Sequence, residues 1–115
     1  MVVERMPSQT ADVTVFRLKG PFVLGTMFDL QATFREPEVK GVIIDLSAVP
    51  YIDSAGLGVL LSEWSHTQRA GYRYALVGMS ARVHTIFELT HTDKILPIFP
   101  TQAEAEASFG KAATA

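Results

Sequence analysis

The chain has 115 residues, 48% of them hydrophobic and 19% charged, and a formal net charge of -2, which fits one domain of ordinary size. That balance excludes a wholly disordered or low-complexity chain and lacks the basic footprint of a non-specific nucleic-acid binder. Cysteine is absent, so disulfides, thiolate zinc sites and cysteine nucleophiles are excluded as well. No apolar run approaches the roughly 18 residues that span a bilayer, and Met1 to Thr10 carries no secretory apolar stretch. A cytoplasmic protein without membrane insertion is the expectation.

Asp12 to Lys19 roughly alternates, with Val13, Val15, Phe16 and Leu18 apolar, and predicts a strand closed at Gly20-Pro21. Thr26 and Asp29 have capping-box spacing, and Met27, Leu30, Gln31 and Phe34 share a face, which predicts a helix over 27–35 that stops at Glu36-Pro37. Val42-Ile43-Ile44 followed by Asp45-Leu46 reads as a strand buried on both faces. Leu57, Leu60, Leu61 and Trp64 then form one helical stripe, ended at Gly71.

Tyr72 to Gly78 predicts another strand, with Tyr72, Tyr74 and Leu76 on one side. Ser80 is placed to cap a helix bearing Val83, Ile86, Phe87 and Thr90. Ile95 to Phe99 reads as a short strand that Pro97 restricts to a sheet edge. Thr101 and Glu104 form a second capping box, opening a helix over about 102–109, and residues 111–115 read as a frayed tail. Strands alternating with helices give an α/β (α+β layered) architecture. The chain, 1–115, is expected to be a single domain with its core over about 12–109.

The functional information concentrates in Asp53-Ser54-Ala55-Gly56-Leu57-Gly58. A buried strand delivers the chain to a turn where a helix begins, and Ser54 is suited to be its N-cap. Gly56 and Gly58 fall in the first turn, where each costs about 1 kcal/mol of helix propensity relative to alanine. They fit either a tight strand-to-helix contact or a backbone left uncovered for a partner. Asp45 either hydrogen-bonds the Ser54 turn or ends its strand in solvent.

This motif, preceded by Val42-Ile43-Ile44-Asp45-Leu46, resembles the STAS domain family and, within it, the anti-sigma factor antagonists. The resemblance runs from about Asp12 to about Phe109 and includes Gly20, the Gly71 turn and the helix over 80–90. It implies a small mixed β-sheet with about four helices mainly on one face. It further implies a partner switch. The unphosphorylated antagonist binds an anti-sigma factor that is also a serine kinase; phosphorylation of the motif serine, which maps onto Ser54, releases it, and a cognate phosphatase restores it.

On this resemblance the partner-binding surface comprises Asp53, Ser54, Ala55, Gly56, Leu57 and Gly58. Ser54→Ala is expected to lock the binding-competent form, and Ser54→Asp or Ser54→Glu to weaken it. Two departures stand out. Ala55 replaces a frequent second hydroxyl. Pro21-Phe22-Val23-Leu24 stands where many members place an acidic residue; burial of this apolar run against the first helix is expected over an exposed partner patch. The same family admits an accessory subunit of a bacterial lipid-transport ABC assembly as the alternative, and a ligand-sensing domain as a third reading.

Enzymatic chemistry is not expected, and neither is a metal or cofactor. Ser54 has no Gly-x-Ser-x-Gly elbow, and Gly56-Leu57-Gly58 lacks the lysine and spacing of a phosphate loop. His66, His84 and His91 read as surface residues, and Trp64, Tyr72 and Tyr74 as core or sheet-face residues without the basic interleaving that direct nucleic-acid stacking requires.

Overall fold

A computed structural model describes residues 2–23, 33, 34, 36 and 39–114. Its strands are β1 (Val2–Pro7), β2 (Val13–Lys19), β3 (Gly41–Ala48), β4 (Tyr74–Val77) and β5 (Ile98–Phe99), and its helices are α1 (Ser54–Ala70), α2 (Ala81–Leu89) and α3 (Gln102–Thr114). The five strands form one mixed sheet in the order β1-β2-β3-β4-β5. β1 runs antiparallel to β2; every other neighbour pair is parallel. The fold is α/β layered.

Period-two alternation sorts the side chains onto two sheet faces. Phe16, Ile44 and Leu76 stand level across β2, β3 and β4, and with Leu18, Leu46, Leu57, Leu60, Val83 and Phe87 they build the larger core under α1 and α2. One residue along, Val15, Ile43 and Ala75 make the row on the other face, where Ala105 and Phe109 of α3 cover them. β3 reads as an unbroken aliphatic run because both of its faces are covered. Two helices pack on one face and one on the other.

Local signals place the helix ends where the sequence predicts. Gly71 adopts φ 74°, a left-handed cap that a Cβ would strain, and its N–H donates to Gln68 O. Ser80 Oγ accepts from Val83 N at 3.2 Å, and Thr101 Oγ1 accepts from Glu104 N at 3.2 Å. Beneath α1, the buried Tyr74 hydroxyl donates to Leu60 O at 2.9 Å. Burial, reinforced by the nearby Glu63 charge, holds that phenol in its neutral form by raising its pKa well above the usual value.

Several expectations need correction. β1 is a strand that the sequence did not announce, and it belongs to the sheet. Tyr72 is not in β4: its N–H donates to Thr67 O at 2.8 Å, so it completes the end of α1 and the strand begins at Tyr74. α3 runs on to Thr114, past the frayed tail expected from residue 111. The edge strand shrinks to Ile98–Phe99, after Pro97. Among the described residues there are three long α-helices and a short 3₁₀ helix, Thr92–Lys94; the helix expected over 27–35 lies outside them except at Thr33 and Phe34, both helical. Phe34 packs edge-to-face on Phe16, with centroids 5.0 Å apart.

Candidate functional site

β3 carries the chain to its C-terminal edge, and residues 49–53 then cross to the start of α1. This crossing is zipped to the segment that leaves β2. Gly20 N donates to Ala48 O at 3.1 Å and Phe22 N to Tyr51 O at 3.1 Å, while Asp53 N donates back to Phe22 O at 3.3 Å. Phe22 and Ile52 thereby form a parallel bridge, and both side chains are buried. The apolar Pro21-Phe22-Val23 run is thus explained: Phe22 is a core residue that clamps the motif turn from beneath. Leu24, and the contact expected with a helix over 27–35, lie outside the described residues.

Asp53, not Ser54, is the N-cap of α1. Its Oδ1 accepts from Gly56 N at 2.8 Å, and its carbonyl accepts from Leu57 N at 3.0 Å. Both residue types favour this position, and the second of the pair had been expected to take it. Ser54 is instead the first helical residue; it is exposed, and its hydroxyl has no hydrogen-bond partner among the described residues. Because Asp53 satisfies the helix end, the Ser54 hydroxyl is left available.

The six motif residues divide by direction. Gly56 and Leu57 are buried, Asp53 and Ala55 are half-buried, and Ser54 and Gly58 are exposed. A Cβ on Gly56 would stand 2.3 Å from both the ring edge and the carbonyl oxygen of Phe22. A Cβ on Gly58 would meet nothing within 4 Å. Of the two readings open for these glycines, tight packing accounts for Gly56 and an uncovered surface for Gly58.

Asp45 does not reach the Ser54 turn. It shares the sheet face of Ile43, opposite α1; its Oδ1 accepts from Ser47 N at 2.8 Å, and its other oxygen lies 4.0 Å from Arg17 Nε. Strand alternation decides this, since odd-numbered β3 residues face α3. Sequence reasoning missed two further neighbours of the turn. Tyr51 is 42% exposed, and the Arg82 guanidinium from the first turn of α2 lies over its ring, 5.8 Å from the centroid. Residues so distant along the chain leave no local pattern that announces such a contact.

The histidines stand apart. His66 meets Tyr72 edge-on at 6.5 Å, and His84 pairs with Glu88 at 2.8 Å. Among the described residues no group of three or more His, Asp or Glu is placed to hold a metal ion. A cleft of about 300 Å³ lined by Asp12, Lys40, Tyr72 and Arg73 lies at the opposite end of the parallel strands from Ser54. No helix among the described residues is long and apolar enough to cross a membrane.

Comparison with known proteins places this geometry. The family model described as STAS domain matches residues 5–105. A protein named anti-sigma F factor antagonist, from Paenibacillus polymyxa, is 27% identical over 97 residues, covering 81% of this chain and 83% of that protein. The crystal structure of an anti-sigma factor antagonist from Mycobacterium paratuberculosis superposes with a TM-score of 0.77 at 22% identity, covering 93% of each chain. A Bacillus cell fate determinant solved in its phosphorylated form superposes with a TM-score of 0.72 at 18% identity, covering 94% of this chain and 99% of that one.

Proposed function

The chain belongs to the STAS domain family, and from that premise we propose that it is a non-enzymatic anti-sigma factor antagonist switched by phosphorylation of Ser54. The observation that carries the reading is the exposed hydroxyl of Ser54, without a hydrogen-bond partner among the described residues, on a turn held by its neighbours. Asp53 caps the helix, Gly56 and Phe22 make the close contact, and Leu57 enters the core. A phosphate on Ser54 removes none of these contacts.

The partner is an anti-sigma factor that also acts as a serine kinase, docking on the turn and the exposed flank of α1 in the cytoplasm. The γ-phosphoryl group of ATP passes to Ser54 Oγ, which gives up its proton as ADP departs. A phosphatase resets the protein by hydrolysing the ester to serine and inorganic phosphate. One phosphate takes the formal charge from -2 to about -4, with the whole change on one turn. Helix α1 tolerates the added charge through its dipole, worth roughly 0.3–1 kcal/mol. A docked partner has no such compensation, and an interface penalty of about 3 kcal/mol lowers affinity about a hundredfold. That the Bacillus relative was solved phosphorylated supports the fold's tolerance of the modification.

The test combines binding and modification. Pull-down with the proposed anti-sigma kinase should retain wild type and Ser54→Ala, and lose Ser54→Glu by a factor of ten or more. With ATP, one phosphate should appear on wild type and none on Ser54→Ala. Mass spectrometry that places the phosphate on another residue overturns the assignment. A transport ATPase retained equally by all three proteins would turn the reading to the transport-subunit alternative.

A further inference from the structure

α1 and α2 both start at the C-terminal ends of the neighbouring parallel strands β3 and β4, so their first turns share one edge of the sheet. Across that edge Arg82 reaches from α2 to the Tyr51 ring, on the loop that ends at Ser54. Arg82 is exposed and has no carboxylate partner among the described residues. Its recorded contact is a stacking on a half-open ring, a weak interaction in water. The Asp53 side chain, next to Ser54 in the chain, accepts from the Gly56 N–H at 2.8 Å.

A phosphate on Ser54 changes this balance. It introduces three acceptor oxygens and nearly two negative charges next to Asp53. A guanidinium binds such a group through a planar fork of donors, with charge-assisted hydrogen bonds stronger than exposed ring stacking. We propose that Arg82 receives the phosphate of Ser54: on phosphorylation its guanidinium leaves the Tyr51 ring and closes over the phosphate oxygens.

This inference rests on Ser54 as the acceptor and adds a second event to the switch. Modification then does two things to the docking face. It places charge at Ser54, and it uncovers the Tyr51 ring while tying the start of α2 to the start of α1. Arg82 supplies, from a separate element, the positive charge that offsets repulsion between Asp53 and the phosphate. No bond beyond the phosphate ester is made or broken.

The experiment bypasses the kinase by installing phosphoserine at position 54 during synthesis, in wild type, R82Q and R82K. The phosphate's ionisation, ordinarily near pH 6, is followed by phosphorus NMR at low ionic strength. It should fall on the order of half a pH unit lower in wild type than in R82Q, with R82K recovering most of the difference. Tyr51 ring resonances should shift on phosphorylation in wild type and stay in place in R82Q. Equal unfolding temperatures of the three unphosphorylated proteins verify that the exposed substitutions leave the fold intact. Identical ionisation in wild type and R82Q overturns the role of Arg82 and leaves the switch standing. A kinase that ignores Ser54 removes the switch and leaves this titration unchanged.

Discussion

Gly56 and Gly58 stand two residues apart near the start of α1, about 200° around the helix from one another. One is pressed onto Phe22 and Ile52, with 2.3 Å left for a Cβ; the other has nothing within 4 Å. The turn is therefore two surfaces joined back to back. Its inner side is part of the core and holds the fold. Its outer side, with Ser54 and Gly58, carries no side-chain contact among the described residues, so a charge can be added there without breaking a contact of the core. Two identical residues in one short motif have unrelated physical causes.

Substitutions can break that division or sharpen it. Gly56→Ala should have the largest effect: the added methyl collides with a backbone carbonyl that cannot rotate away, and a loss of about 3 kcal/mol is expected in urea unfolding. A loss below about 1 kcal/mol would show that the 20–23 segment slides freely and that the inner side is not rigid. Asp53→Ala removes the cap and should cost about 1 kcal/mol by the same measurement. If Ser54→Ala cost as much, Ser54 would share the capping, contrary to the geometry.

Gly58→Ala should act in the opposite direction. With open space around it and helical backbone on both sides, an alanine raises stability by about 0.5–1 kcal/mol, seen as a higher urea midpoint. A decrease would place an unseen contact on the outer side. Ser54→Ala should be the smallest change, within about 0.5 kcal/mol, while abolishing phosphorylation. That pairing of negligible stability change with complete loss of modification is the signature of a recognition surface.

Much of this was readable from short stretches of chain. Ser80, Thr101 and Gly71 announce helix ends because capping is a local affair of three or four residues. The aliphatic run of β3 announces a strand covered on both faces. β1 was missed because Glu4 and Arg5 break its pattern and none of its described side chains is fully buried; its order comes from pairing with β2, including an ion pair of Lys19 with Glu4, and from an ion pair of Arg5 with Glu36 ahead of β3. Tyr72 was misread because an aromatic before a strand looks like part of it, whereas its N–H is taken by α1.

The amino-acid order alone determined the layered fold, the positions of α1, α2 and α3, and the turn that bears Ser54. These follow from periodicity and capping, which act over a few residues and need no distant partner. Tertiary structure decided the rest. It chose Asp53 over Ser54 as the cap, turned Asp45 to the face away from the motif, set Phe22 beneath Gly56, and brought Arg82 onto Tyr51. The contacts of Phe22 and Arg82 depend on which segments lie side by side, and such pairing joins residues that no local pattern connects.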